Sequence, residues 1–122
     1  MFAKKFIALF FFTLAVSSLF NLAHGQAQQD KDKLAQSAFA IFKQHCLECH
    51  GENGKDSQTF LLDHKAMIGE GKVIPGKPEE SLVYKVIFSG KMPEEAEKLP
   101  DSKIATIKDW ILAGAPDWKT AK

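Results

Sequence analysis

Cys46-Leu47-Glu48-Cys49-His50 holds the chain's only two cysteines, three positions apart and followed at once by a histidine. On one helical turn this spacing sets two thiols side by side with an imidazole next to them. A disulfide between them would close a loop too small to stabilise much, so the pair calls for another use. Just upstream, from about Lys31 to Gln44, the residues Leu34, Ala35, Ala38, Phe39, Ile41 and Phe42 recur at spacings of three and four among Lys and Gln. That periodicity predicts an amphipathic helix. Downstream, residues 51–60 carry two glycines among mostly polar side chains and read as a loop. A short helical turn is expected at Asp63–Ile68, and Gly69–Pro78, with three glycines and two prolines, reads as a long connection. Pro78 then suits a first helical position, and Glu79 and Glu80 complement the positive end of the dipole. Leu82, Val83, Val86 and Ile87 form one face, and Gly90 supplies the stop. After an irregular stretch at 91–100, Asp101 or Ser102 is expected to cap a last helix. Its face is Ile104, Ile107, Trp110 and Ile111, and Gly114 with Pro116 ends it. No segment alternates as a strand would, and no repeat is evident. The fold class is therefore all-α, three main helices joined by long loops, and so much irregular chain in so small a domain needs a common object to wrap.

The chain has 122 residues, enough for one domain, and all 16 of its Lys+Arg are lysine against 15 Asp+Glu. That balance gives no basic excess to neutralise a phosphate backbone, so nucleic-acid binding is not expected. Most of the ten phenylalanines fall at or before Phe42, and the N-terminus is a different kind of segment. It opens with Lys4 and Lys5, runs uncharged from Phe6 to Phe20, and reaches Ala23-His24-Gly25 before the polar run from Gln26 to Asp30. Residues 1–25 thus read as a secretory signal peptide cut after about Gly25, with 26–30 left as a flexible tether. The alternative is a retained anchor, but the apolar run is shorter than the ~20 residues that span a bilayer, and Thr13, Ser17 and Ser18 interrupt it. Export to the periplasm or beyond is expected, with no permanent membrane span after cleavage. The cut removes two of the sixteen lysines and none of the acids, which leaves a nearly neutral mature protein. A domain of that size has a marginal hydrophobic core unless something reinforces it.

Cys46 to His50 fits C-x-x-C-H, the attachment sequence of c-type haem. Two thiols at this spacing can add to the vinyl groups of neighbouring pyrroles, and His50 can then offer a ring nitrogen to the iron. A redox-active dithiol would need a βαβ context, and a zinc site would need further ligands at paired spacing; the chain supplies neither. The sixth iron ligand has four candidates. Met92 lies in Gly90-Lys91-Met92-Pro93, where Pro93 restricts the residue before it, so the thioether is offered from a stiff extended segment. Met67 sits in an apolar stretch and reads as packing. His64, between Asp63 and Lys65, reads as a surface histidine, with a bis-histidine iron as the alternative, and His45 is too close in the chain to Cys46 to reach the opposite side.

Phe42, Cys46, Cys49, His50, Gly51, Met92, Pro93 and Trp110 together resemble a class I cytochrome c. A narrower likeness, from about Ala38 to Pro116, is to the planctomycete-type cytochrome c domain. It is carried by Cys46–Gly51, the run Val73 to Leu82, Lys91-Met92-Pro93, and Trp110-Ile111 through Pro116. The resemblance implies the cytochrome c fold over residues 31–118, followed by a tail at 119–122, around one covalently bound haem. It implies thioethers at Cys46 and Cys49, His50 as proximal and Met92 as distal ligand, and an N-terminal helix crossing the C-terminal one, aromatic Phe42 against Trp110. Many members have glycine where Ala38 stands, so a slightly wider crossing is expected. The domain often forms part of much larger proteins; a chain ending soon after Pro116 leads to the expectation of a free carrier.

The expected function is single-electron transfer between redox partners, with both axial positions filled and no catalytic residues. A thioether ligand raises the potential, and Pro75 is the candidate carbonyl for the second ring nitrogen of His50. Leu61, Leu62, Ile74, Leu82, Val86, Ile107 and Ile111 are expected to line the haem. Partners would dock transiently at its edge. Lys43, Lys55, Lys72, Lys77 and Lys91 are candidates to ring it, although interspersed acids make an ordinary solvated surface the simpler reading. Two other classes remain: a haem enzyme or ligand sensor with a labile distal site, and an electron-transfer subunit of a larger oxidoreductase. Met92 bound in both redox states would exclude the first.

Overall fold

A computed structural model describes residues 3–56, 61–94 and 96–119, with side chains described from His24 onward. Among the described residues five α-helices follow one another: α1 (Ala3–His45), α2 (Leu47–His50), α3 (His64–Gly69), α4 (Leu82–Phe88) and α5 (Asp101–Leu112). No strand occurs among the described residues, so the fold is all-α as expected. The expected loop over 51–60 is turn and bend through Asp56, and its remainder lies outside the described residues.

The chain divides into two compact units, Met1–Asp30 and Lys31–Lys122. The first is helical from Ala3. Residues 26–30, expected as an irregular tether, are helical too. Ala27 and the glutamines there are good helix formers, no proline interrupts, and Gln26 Nε2 donates to Asp30 Oδ1 one turn on at 3.0 Å. No helix among the described residues is long and apolar enough to cross a membrane.

In the second unit α1 buries Ala35, Ala38, Ile41 and Phe42, and α5 buries Ile104, Ile107, Trp110 and Ile111. Phe42 meets Trp110 edge to face, ring centroids 5.7 Å apart. Such contacts add about 0.5–1.5 kcal/mol to the burial itself. After α5 the chain reverses through a Schellman turn. Gly114 N–H donates to the Ile111 carbonyl, Ala115 N–H to the Trp110 carbonyl, and both residues have positive φ. The reversal lays Trp118 against Phe39, Phe42 and Trp110, with centroids 5.5–6.1 Å away. Gln36 Nε2 fastens the segment by donating to the Trp118 carbonyl at 2.7 Å.

Two expected helix starts differ in detail. Pro78–Glu80 is a 3-10 turn, separate from α4, because Ser81 is extended. Its side chain bonds to nearby backbone groups, the habit that keeps serine out of helix interiors. The break rotates α4 so that Val83, Tyr84 and Ile87 are buried while Leu82 is 51% exposed; Leu82 therefore lines no interior site. At α5 Pro100, not Asp101 or Ser102, occupies the capping position, and its carbonyl accepts from Lys103 and Ile104. Asp101 becomes the first helical residue, where its charge favours the dipole.

Candidate haem-binding site

The 46–50 pentapeptide continues directly from α1. Cys46 N–H donates to the Phe42 carbonyl at 3.0 Å, and His50 N–H to the Cys46 carbonyl at 2.8 Å, so both thiols and the imidazole share one turn. Cys46 and Cys49 are free and half-buried. The Cys46 thiol packs against the core, and burial, with the neighbouring Cys49 second, pushes it up to about 11. It is a neutral thiol at neutral pH.

The loop that follows folds tightly onto this turn. Asp56 N–H donates to the Cys49 carbonyl at 2.8 Å, Gly54 N–H to the Gly51 carbonyl at 3.1 Å, and Leu61 N–H to the His50 carbonyl at 3.3 Å. A Cβ at position 54 would fall on the Cys49 carbonyl, so this approach needs glycine. The His50 ring is 14% exposed, and its Nδ1 stands 3.2 Å from Asp56 Oδ2. The two are close but not aligned, so the buried Nδ1 makes no hydrogen bond. Pro75 was the expected partner; its segment instead turns towards α5, where Gly76 N–H donates to the Ile111 carbonyl at 2.7 Å.

Met92 comes from the segment after α4. Gly90, at φ 75°, ends that helix, and Met92 N–H closes over it by donating to the Val86 carbonyl at 3.0 Å. Its side chain is half-buried and packs on the same core as Cys46. Met67 is fully buried in the core, as the apolar pattern around it suggested.

His64 is no surface histidine. Its ring is 14% exposed and stands edge to face on Trp118 and Trp110, with centroids at 5.1 and 6.1 Å. Nε2 lies 2.6 Å from the Ala115 carbonyl, and since a carbonyl only accepts, Nε2 carries the proton. Nδ1 faces the Asp117 carboxylate at 3.7 Å. The ring is thus a brace between α3 and the C-terminal segment. His45 accepts from Lys103 Nζ at 2.6 Å, and burial, then the Lys103 charge, hold its pKa below the ordinary value.

Of the expected lining, Leu61, Ile107 and Ile111 are buried and Leu62, Ile74 and Val86 half-buried. Tyr84, Trp118 and Asp56 escaped the sequence reading. Tyr84 was hidden by the unbroken helix assumed over 78–90, and Asp56 sits in a polar loop without periodicity. Lys72 and Lys77 pair with Glu70 and Glu80 at 2.6 and 3.1 Å. Among the described residues no three His, Cys, Asp or Glu side chains converge on a bare metal ion.

An all-α domain with paired free thiols and a histidine on one turn, and a half-buried methionine on the same core, has the build of a c-type cytochrome. Residues 46–95 match the family model described as Planctomycete cytochrome C, the family these residues resemble. The match begins on Cys46 and takes in Cys49, His50 and Met92. No curated protein and no solved structure matches the chain. The cytochrome c domain points to haem c and to electron transfer in preference to catalysis.

Proposed function

We propose that the chain is an exported monohaem c-type cytochrome that carries single electrons between transiently docked redox partners. The observation that carries the proposal is the turn at 46–50, with both thiols free and a buried imidazole nitrogen left without a hydrogen bond. That donor set suits covalent haem: Cys46 and Cys49 for the thioethers, His50 as proximal ligand and Met92 as distal ligand. The bound haem would supply a one-electron Fe(III)/Fe(II) couple. The chain's own residues would tune it. The Met92 thioether would favour the reduced iron, and the apolar side chains around Leu61, Val86 and Ile111 would keep water away. The hydrogen bond from Met92 N–H to the Val86 carbonyl holds the backbone of the distal ligand on α4. His64 is unsuited to the distal role, because both of its ring nitrogens already face acceptors in the C-terminal segment.

The test is an optical spectrum of the exported, purified protein, oxidised and reduced, extended into the near-infrared, with Met92→Ala beside it. A low-spin c-type spectrum whose thioether-to-iron band vanishes in the variant is expected. Absence of covalent haem overturns the proposal, and a spectrum unchanged by the substitution removes Met92 from it.

A further inference from the structure

Two buried side-chain nitrogens among the described residues lack a hydrogen bond, Trp118 Nε1 and His50 Nδ1. Such groups are rare in folded proteins because a buried donor without a partner forfeits its hydration. Trp118 Nε1 lies in a wholly structural cluster. His50 Nδ1 lies beside a carboxylate: Asp56 Oδ2 is 3.2 Å away, inside the range of a charge-assisted hydrogen bond once ring and carboxylate align.

The position of Asp56 is built into the backbone. Its N–H is bonded to the Cys49 carbonyl, the preceding turn is closed by Gly54 N–H on the Gly51 carbonyl, and only glycine fits at 54. The backbone of His50 is fixed from both sides, by its own N–H on the Cys46 carbonyl and by Leu61 N–H on its carbonyl. Asp56 and the ring it faces are therefore held by the same short stretch of chain that carries both cysteines.

We propose that Asp56 is the positioning residue of His50. Its carboxylate accepts a hydrogen bond from Nδ1–H, which fixes the tautomer whose Nε2 is free to bind iron. The inference rests on the reading of His50 as proximal ligand and adds the group that orients and tunes it. A carboxylate acceptor differs from a neutral carbonyl in kind. Charge-assisted hydrogen bonds are roughly twice as strong as neutral ones, and a negative partner makes the imidazole a stronger electron donor. Stronger donation favours the ferric state and lowers the potential, opposing the effect of a thioether on the other side. The working potential would then be set by a balance between Asp56 and Met92.

The test uses the exported haem protein and its Asp56→Asn, Asp56→Ala and Asp56→Glu variants, with midpoint potentials measured by spectroelectrochemistry. Asp56→Asn keeps the shape and removes the charge. It should shift the ferrous-to-ferric ratio at fixed applied potential about tenfold towards ferrous, a rise of about 59 mV for a one-electron couple. Asp56→Ala should rise at least as far, and Asp56→Glu should return most of the way to wild type. The near-infrared methionine band should persist throughout, showing that the distal side is untouched. Ferrous-to-ferric ratios within twofold of wild type at the same applied potential in the Asn and Ala variants overturn the inference while leaving His50 as ligand. So does a rise in Asp56→Asn that tracks lost stability and is not rescued by Asp56→Glu. An Nδ1 proton of His50 that exchanges freely with solvent in the reduced wild-type protein overturns it without recourse to any variant. A wild type that carries no covalent haem removes the reading of His50 itself, and the inference with it.

Discussion

Among the described residues Ser81 is the one buried polar side chain of the core, at 0% exposure, and its replacement by alanine gives a calculable cost. Its Oγ accepts from Ile74 N–H at 2.9 Å and donates to the Lys77 carbonyl at 2.8 Å. In Ser81→Ala the Lys77 carbonyl stays satisfied, because Glu80 N–H and Ser81 N–H both reach it at 3.2 Å. Ile74 N–H has no such reserve. An orphaned buried donor costs about 1–3 kcal/mol, and the lost bond to Lys77 adds about 1 kcal/mol, so the substitution should destabilise by roughly 2–4 kcal/mol. With a urea m-value near 2 kcal/mol/M, the unfolding midpoint should fall by about 1–2 M with m unchanged. Ser89→Ala is the control: that hydroxyl is exposed and its bond to the Val86 carbonyl is long, at 3.3 Å, so its effect should stay within about 0.5 kcal/mol. The assay is urea unfolding of the purified protein followed by far-UV circular dichroism, with hydrogen exchange at the Ile74 amide as the local readout. Equal midpoints for the two variants would refute the reasoning, as would an Ile74 amide that exchanges no faster in Ser81→Ala.

Two further outcomes follow from glycine placement and from titration. Gly54→Ala forces a Cβ onto the Cys49 carbonyl and should cost about 1–3 kcal/mol, whereas Gly69→Ala, at the end of α3 with nothing within 4 Å, should be neutral or stabilising by up to about 1 kcal/mol. Urea midpoints that change alike in the two variants would contradict this. The other concerns acid. His45 is held below its ordinary 6.5 by burial and then by Lys103, so the unfolded chain takes up the proton first as the solution is acidified. Its contribution is complete above pH 6.5 and is lost as the pH falls from there towards the lower folded value. His45→Gln should therefore show a smaller drop in urea midpoint between pH 7 and pH 5 than wild type, and parallel pH profiles would show that His45 carries none of the dependence.

The parts of the fold legible in the sequence are those whose signal is local and periodic. The faces of α1 and α5 are spelled out by apolar spacing, and the Gly114–Pro116 stop announces the reversal that follows. The pairing of Phe42 with Trp110 followed only from the family likeness, since nothing in either segment alone says that they meet. What escaped depends on tertiary partners. Ser81 breaks α4 from the 3-10 turn because its hydroxyl finds Ile74 and Lys77, and that choice decides which face Leu82 takes. His64 is flanked by charges in the sequence and so looks solvated, yet two tryptophans and the Ala115 carbonyl enclose it. Asp56 is one acid in a polar loop until the close approach at Gly54 brings it to His50. The motif at 46–50 is plain in the sequence, while the group that orients its histidine is not.

The two halves of the Lys31–Lys122 unit are satisfied in different ways, and this bears on what attached haem would contribute. Around Trp110 and Trp118 the protein closes on itself. The indole N–H of Trp110 donates to the Pro116 carbonyl at 2.9 Å, Gln36 and His64 bond to the 115–118 segment, and the rings pack edge to face or tilted. None of these contacts uses Cys46, Cys49, His50 or Met92. The segment from Cys46 to Asp56 is held mainly by backbone bonds on its own turn, with its thiols half-buried and its one imidazole lacking an aligned partner. Thioether formation there would tether a group of large apolar area to a segment with little burial of its own. The aromatic half would gain little directly, because among the described residues its buried side-chain polar groups other than Trp118 Nε1 already have partners. Stabilisation on haem attachment should therefore be concentrated at the amides of Cys49, Gly54, Asp56 and Leu61, and smallest at those of Gly114 and Ala115. Hydrogen exchange of the protein before and after attachment measures that difference directly, and protection rising uniformly across both groups would show that the two halves unfold as one unit.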